Sequence, residues 1–192
     1  MKLTDKFNIA LGFAFDLHAR HMRKGTQTPY IAHLLSVAAL VLEDGGDEDL
    51  AIAALLHDAV EDQGGLITLE KIRRAFGDRV AEIVLGCSDS TSLVKPAWRE
   101  RKERYLAHLA TAGPDVLKVS LADKLHNSRT ILLDLRQDGD LVWKRFSGGK
   151  EGTLWYYRAL ADLYQARGNS PYADELGRVV GEMERFVKGN RG

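Results

Sequence analysis

The sequence predicts an all-α fold, and three observations lead to this prediction. Apolar residues recur at spacings of three and four along most of the chain, which is the period of an amphipathic helix. No sustained run alternates apolar and polar residues as a half-buried strand does. Glycine, proline and small polar residues separate the apolar stretches at short intervals. We therefore expect one compact bundle of about eight or nine helices.

The first helices follow from apolar spacing, and the breaks between helices follow from turn residues. Breaks fall at residues 25–29, 43–49, 63–68, 87–96, 111–114, 136–140, 146–152 and 167–171. No repeat or long linker divides the chain. The first two apolar stripes are Phe7, Ala10, Leu11, Ala14, Phe15 and Leu17, and then Leu34, Val37, Ala38 and Val41.

Several later helix starts carry capping chemistry. Thr68 is expected to be an N-cap, with Lys71 in the place where a full capping box needs glutamate or glutamine. Pro96, Pro114 and Pro171 each stand where a first-turn proline is tolerated. These signals indicate separate helices on the C-terminal side of residue 63.

Composition excludes several classes of protein. Lys plus Arg and Asp plus Glu are equal at 27 each, so no global field attracts nucleic acid or an anionic membrane surface. The single cysteine, Cys87, excludes an internal disulfide framework. No window approaches the roughly 18 uninterrupted apolar residues of a membrane helix, and the N-terminal segment does not resemble a signal peptide. We expect a soluble cytoplasmic protein with no nucleic-acid or membrane partner.

The stretch ALLHDAVEDQG, residues 54–64, places four polar groups directly after an apolar run. On one continuous helix His57 would stack on Glu61, and Asp58 on Asp62. The stretch is either a solvated helix end or a catalytic site. Acidic residues at the finish of a helix oppose its dipole, and this placement favours a functional role.

Two further polar residues lie in other apolar helices. His33 begins a mostly apolar run, and a lone histidine there is more often a hydrogen-bonded core residue than a metal ligand. Asp123 follows an apolar run from Val116, and an ion pair with Lys124 or Arg129 is about as good an explanation for it as metal binding. Taken together, two imidazoles and two carboxylates from three helices suit Mn²⁺, Fe²⁺ or Zn²⁺ better than Ca²⁺. The candidate ligands are His33, His57, Asp58 and Asp123.

This order of His, His-Asp and Asp resembles the signature of the HD phosphohydrolase superfamily. The closer resemblance is to the hydrolase domain of RelA/SpoT-type alarmone enzymes and to the small alarmone hydrolases. Four blocks match in family order: RKGTQTPYIAH (23–33), AALLHDAVED (53–62), FGDRVAEIVLG (76–86) and LADKLHNSRT (121–130). The resemblance implies one HD-type domain over residues 1–192, with a family-like core at about 10–135 and a C-terminal helical extension at 136–192.

The resemblance also implies a reaction and roles for residues. The four candidate ligands would hold one divalent ion, with Mn²⁺ expected, and Glu61 and Asp62 would be the acidic pair that positions and deprotonates the attacking water. The implied substrate is guanosine tetra- or pentaphosphate, which loses its 3′-pyrophosphate. A homo-oligomer is compatible with this interpretation. The implied substrate-binding residues are Arg23, Lys24, Tyr30, Asn127 and Thr130.

Alternatives remain for some of these roles. Arg23 and Lys24 also fit an ordinary loop pair, Tyr30 could fill the core, and Asn127 could brace its own helix. The basic stretch after residue 94 could reach phosphates, but it is more typical of a solvated helical face. That stretch contains Lys95, Trp98, Arg99, Arg101, Lys102 and Arg104.

The chain departs from the family pattern at two places. Ser120 stands where family members have lysine, and CSDS follows Gly86 in place of the usual block. An HD phosphohydrolase acting on another nucleotide, and a non-catalytic nucleotide-sensing module, therefore remain alternatives. Retention of Glu61 and Asp62 argues against the sensing module, because binding alone does not require them.

The remaining histidines and the tryptophans are assigned structural roles. None of these histidines matches the superfamily pattern, and surface or helix-end positions are expected for them. The tryptophans are expected to fill a core or a subunit contact. These residues are His18, His21, His108 and His126, and Trp98, Trp143 and Trp155.

Overall fold

The computed structural model describes residues 2–89, 96–168 and 170–189. Within these ranges the all-α prediction is confirmed, since the regular elements are ten α-helices, one 3-10 helix and an isolated bridge between Met22 and Pro29. Nine of the α-helices have nine residues or more, and the tenth is a single turn. Among the described residues, no helix combines the length and the apolar character needed to cross a membrane.

The chain divides into two compact units, of which the first comprises Met1–Lys95 and Ala112–Ala122. Its central helix is α3, whose residues from Leu50 to Leu56 are at most 5% exposed. Because α3 is apolar on all sides, it can pack against α1, α2 and α6 at once. The complete helices of this unit are α1 (Asp5–His18), α2 (Ile31–Glu43), α3 (Glu48–Leu56), α4 (Ala59–Asp62), α5 (Gly65–Phe76) and α6 (Asp78–Cys87).

The second unit comprises Pro96–Thr111 and Asp123–Gly192. The boundary between the units falls inside the long helix α8, at Ala122 and Asp123. The sequence interpretation of one domain with an extension from residue 136 stays a prediction. The remaining helices are α7 (Trp98–Leu109), α8 (Pro114–Asp138), the 3-10 helix Gly139–Arg145, α9 (Gly149–Arg167) and α10 (Pro171–Gly189).

Two of the four predicted helix-start signals are prolines that lie in a first turn. Pro114 and Pro171 are the first residues of α8 and α10, and Pro96 lies two residues before α7. The prediction for Thr68 was wrong, because α5 already begins at Gly65. Thr68 is a buried residue of the first turn, and its hydroxyl donates to the backbone carbonyl of Gln63. Gly64 precedes α5 in a left-handed backbone conformation that glycine adopts readily, and α5 begins there without a side-chain cap.

Trp98 packs within the second unit, as expected for a structural tryptophan. Its ring covers Gly148 and Gly152, and a Cβ atom at Gly148 would lie 2.6 Å from the ring. The Arg99 guanidinium lies 3.2 Å from the centroid of the Trp155 ring.

The basic face of α7 carries ion pairs along its own helix. Arg99 pairs with Glu103 at 2.6 Å, and Arg104 pairs with Glu100. These pairs are typical of a solvated helical face. Lys95 of the basic stretch, and Ser90 of the CSDS block, lie outside the described residues.

Candidate active site

The HD dipeptide lies in a turn between two helices. Helix α3 ends at Leu56, His57 and Asp58 form the turn, and α4 starts at Ala59. The expectation of one continuous helix through Asp62 was therefore wrong. The backbone of Asp58 has φ −95° and ψ −5°, and these values depart from regular helical geometry. His57 is only 2% exposed, whereas the side chain of Asp58 is 22% exposed.

The His57 ring is held in one tautomer by the backbone. Its Nδ1 lies 2.7 Å from the carbonyl oxygen of Ala54, and a carbonyl can only accept, so Nδ1 carries the proton. In the neutral ring, Nε2 then has its lone pair available for a metal ion. The hydrogen bond also fixes the direction of that lone pair.

His33 and His57 converge on one carboxylate oxygen. Oδ2 of Asp58 is 3.0 Å from Nε2 of His57 and 3.5 Å from Nε2 of His33. The three donor atoms all lie within 4.8 Å of one another. Two imidazole nitrogens and one carboxylate oxygen at these separations form a donor set that fits a divalent ion with mixed nitrogen and oxygen ligands.

Tyr30 orients the carboxylate at this centre. Its hydroxyl donates to Oδ2 of Asp58 at 2.6 Å. The Tyr30 ring also lies edge-on to His33, and the Arg23 guanidinium lies 5.6 Å from the ring centroid. Tyr30 is thus in contact with a candidate ligand and with a member of the basic pair.

The basic pair lies on the loop between α1 and α2. The loop is closed by backbone hydrogen bonds from Arg23 to Thr28 at 2.8 Å and from Tyr30 to His21 at 2.8 Å. Arg23 is half-buried, whereas Lys24 is exposed. The loop therefore places Arg23 beside the Tyr30 ring, and the Lys24 side chain is exposed to solvent.

Glu61 and Asp62 lie on the single turn of α4, Glu61 half-buried and Asp62 exposed. They are the last two residues of a helix of only four, whose first and last turns coincide, so the helix dipole neither favours nor opposes them. The dipole argument from the sequence was therefore wrong, because it treated these residues as the finish of α3. Their functional assignment depends on their position directly after the HD turn.

Asp123 lies on α8 and is 4% exposed. Its carboxylate accepts from Nζ of Lys124 at 2.5 Å and from the side-chain amide of Asn127. Burial opposes the charge of Lys124, but the carboxylate of Asp123 and the nearby rings of Tyr156 and Tyr105 raise its pKa well above the usual value. The expected pairing with Lys124 is present, while Arg129 instead pairs with Glu175.

The two predicted nucleoside contacts on α8 also make bonds within their own helix. Asn127 donates to Asp123 one turn earlier, which is the bracing role considered for it. The Thr130 hydroxyl donates to the carbonyl of His126 at 3.0 Å. Ser120, on the same helix, is 1% exposed.

Sequence reasoning missed three residues around Tyr30. His18 is the last residue of α1 and only 3% exposed, and its ring stacks on Tyr30 at 5.0 Å with an interplanar angle of 15°. Nδ1 of His21 lies 3.2 Å from Nδ1 of His18 and 3.2 Å from Nε2 of Gln63. The signal in the sequence was a pair of histidines one helical turn apart just before the basic pair.

The environment of His18 keeps it neutral. Burial lowers the pKa of His18 from 6.5 to about 4, against the opposing charge of Asp58 and with help from the neighbouring imidazoles of His21, His57 and His33. A neutral ring carries one proton. If that proton is on Nδ1, His18 donates to His21.

Known proteins share sequence and fold with this chain. The family model described as HD domain matches residues 10–154. A probable guanosine-3′,5′-bis(diphosphate) 3′-pyrophosphohydrolase of Synechocystis is 39% identical over 125 residues, which are 64% of this chain and 16% of that protein. The enzyme of the same activity named MESH1 in Xenopus tropicalis is 40% identical over 125 residues, covering 64% of this chain and 67% of that protein. The chain thus spans only a small part of the Synechocystis relative.

A solved structure is similar over nearly the whole chain. It is described as a metazoan ortholog of SpoT that hydrolyses ppGpp and plays a role in starvation responses. The two structures align with a TM-score of 0.75 at 26% identity, covering 93% of this chain and 96% of the other.

Proposed function

Because this chain belongs to the HD-domain family, we propose that it is a metal-dependent phosphohydrolase that removes the 3′-pyrophosphate from guanosine tetra- or pentaphosphate. The observation that carries the proposal is the convergence of His33 and His57 on Oδ2 of Asp58, with Glu61 and Asp62 on the next turn of chain. The names of the relatives support the alarmone substrate.

The proposed ion is one Mn²⁺, held by His33, His57, Asp58 and Asp123. The first three contribute the donor atoms that lie within 4.8 Å of one another. Asp123 is assigned from the sequence motif, and its burial on α8 supports a polar role. When bound, such an ion activates water and a phosphoryl oxygen as a Lewis acid.

The chain's own residues would then handle the proton and the substrate charge. A carboxylate of the Glu61–Asp62 pair takes a proton from the water that attacks the 3′-linked phosphorus. The bond from this phosphorus to the ribose 3′ oxygen breaks, the 3′ oxygen gains a proton, and pyrophosphate leaves. Arg23 and Lys24 offset the negative charge of the phosphates. The Tyr30 hydroxyl fixes the orientation of the Asp58 carboxylate.

The proposed nucleoside contacts are Asn127 and Thr130. Their side chains already bond within α8, so nucleotide binding requires their remaining hydrogen-bonding capacity. This capacity suits a nucleoside better than a phosphate, because neither side chain is charged. The proposed location is the cytoplasm, because the proposed substrate is a nucleotide.

The test is a substrate panel with Mn²⁺: guanosine tetraphosphate, nucleoside triphosphates, NADPH and mononucleotides. We expect pyrophosphate release from the tetraphosphate. It should be abolished in Asp58→Ala and reduced by at least about 100-fold in Glu61→Ala. Glu70→Ala, which changes an exposed glutamate of α5, serves as the matched control and should keep full activity.

The other outcomes separate the alternatives. Turnover of a different panel member alone would contradict the alarmone substrate and favour another nucleotide, consistent with Ser120 in place of the family lysine. Absence of any turnover, with bound metal measured directly, would contradict the enzymatic function and favour nucleotide sensing. Equal activity of Asp58→Ala and the wild type would contradict the proposed site.

A further inference from the structure

Helix α4 carries the proposed catalytic acids but is only one turn long. Its backbone hydrogen bonds run from the amide of Asp62 to the Asp58 carbonyl at 3.0 Å and from the amide of Gln63 to the Ala59 carbonyl at 3.0 Å. A single turn is marginal by itself. Two glycines of positive φ, Gly64 and Gly65, follow it. Ala59 and Val60 anchor the turn by burial, and the direction of Glu61 and Asp62 depends further on what holds the two ends of α4.

The N-terminal end of α4 is held through Asp58, which is its N-cap residue. The Asp58 carboxylate makes no capping bond to the helix and instead accepts from the Tyr30 hydroxyl at 2.6 Å. This contact fixes the start of α4 to the residue that precedes α2.

The C-terminal end of α4 is held through Gln63, which is its C-cap residue. The side-chain amide of Gln63 donates from Nε2 to Nδ1 of His21 at 3.2 Å. The contact joins residues 42 positions apart in the chain. His21 and Gln63 line an open cavity of about 360 Å³. The other lining residues are Asp16, Leu17, Ala19 and Arg20.

His18 connects the two ends. Nδ1 of His18 lies 3.2 Å from Nδ1 of His21, the nitrogen that faces the side-chain amide of Gln63. The buried His18 ring also stacks on Tyr30 at 5.0 Å. The contacts run from Asp58 through Tyr30, His18 and His21 to Gln63, so they begin and end on the caps of α4.

We propose that His21 is a positioning residue that fixes the direction of the acidic turn by holding Gln63, while His18 transmits the position of Tyr30 and Asp58 to it. The inference rests on the proposed function, because it assigns His21 to the placement of Glu61 and Asp62. Its action on the reaction passes through Gln63.

The first test compares His21→Ala with His21→Gln. Loss of the acceptor in His21→Ala should lower kcat about 10- to 100-fold, with KM for guanosine tetraphosphate and Mn²⁺ affinity within about twofold of the wild type. A glutamine carbonyl can accept from Gln63, so His21→Gln should recover most of kcat. His108→Ala, an exposed histidine of α7, is the control and should leave kcat unchanged.

The second test is a double-mutant cycle. Gln63→Ala should lower kcat as His21→Ala does, and the double variant should lose no more than either single variant, because both remove the same contact. Multiplicative losses would overturn the proposal. A loss in His21→Gln equal to that in His21→Ala would also overturn it.

A readout without substrate or metal separates this inference from the proposed function. In hydrogen exchange of the metal-free protein, the amides of Asp62 and Gln63 should exchange faster in His21→Ala and Gln63→Ala, but not in His21→Gln. Unchanged exchange in His21→Ala would overturn the positioning role. If the wild type turned over no nucleotide while the exchange pattern appeared, only the proposed function would fail.

Discussion

At the scale of single residues, the site is organised around one oxygen atom. Oδ2 of Asp58 meets the Nε2 atoms of His57 and His33 and the hydroxyl of Tyr30. The hydroxyl donates a hydrogen bond to the carboxylate oxygen, and the two imidazoles present their Nε2 atoms to it. The donor from Tyr30 therefore sets the direction in which Asp58 can share a cation with the two rings.

Tyr30→Phe tests this organisation. Loss of the hydroxyl should lower Mn²⁺ affinity about tenfold, because Asp58 is no longer held in direction, while the ring keeps its stacking on His18. Titration calorimetry with Mn²⁺ measures the change. Tyr164→Phe, at a buried tyrosine of α9, is the matched control. Equal affinities in the two variants would show that Asp58 needs no orienting partner.

At the scale of elements, the joint between α4 and α5, at Gly64, sets the direction in which the chain continues after the acidic residues of α4. Gly64 has φ +101° and ψ 13°, a left-handed conformation that favours glycine. A Cβ atom at this position would lie 2.9 Å from the Thr68 hydroxyl, which donates to the Gln63 carbonyl. The joint thus combines a backbone requirement with a steric one.

Gly64→Ala and Gly45→Ala separate these two requirements. Gly45 has φ +73° with open space around it, so both variants should lose about 1 kcal/mol of unfolding free energy from the backbone. Only Gly64→Ala should also lower kcat, because it displaces Thr68 and the end of α4. Urea unfolding and initial rates measure the two effects. Equal rates for the two variants would contradict a role for this joint in catalysis.

Helix α10 is held by an apolar face within the second unit. It packs on α9, and its buried residues include Met183, which is fully buried. Met183→Ala should lower the free energy of unfolding by about 2–5 kcal/mol, because the removed atoms leave a cavity. Urea unfolding measures this loss. Arg185→Ala, on the exposed side of α10, should change the unfolding free energy by less than about 0.5 kcal/mol.

At the scale of the whole molecule, the formal net charge of zero at pH 7 does not by itself give the pH dependence of stability. Individual groups whose pKa differs between the folded and unfolded states set it instead. His18 is such a group, because burial lowers its pKa from 6.5 to about 4. Between these values the unfolded chain binds a proton that the folded protein excludes. Stability contributed by His18 is therefore complete above about pH 6.5 and declines as the pH falls towards 4.

Urea unfolding of the metal-free protein across this pH range tests the effect. The free energy of unfolding should fall by up to about 3 kcal/mol as the pH drops from about 6.5 to 4. His18→Phe keeps a ring against Tyr30 but has no titrating group, so its unfolding free energy should change less over the same range. Parallel curves for the two proteins would contradict this assignment of His18.

Local periodicity and residue chemistry were enough to predict the helical class and to select His33, His57 and Asp58, because each candidate is a polar residue in an apolar helical setting. Asp123 followed from the same reasoning and is buried on α8. Local signals were not enough for the break at Asp58, where the sequence still reads as one helix, nor for the start of α5 at Gly65.

Tertiary structure alone decided how the site is held together. The contact of His21 with Gln63, the stacking of His18 on Tyr30 and the bond from Tyr30 to Asp58 join segments that helical periodicity does not relate. Spacing along a helix predicts which residues share a face, because the helix repeats every 3.6 residues. Which faces meet depends on how separate helices pack, and that packing brings His21, in the loop after α1, to Gln63 at the end of the acidic turn.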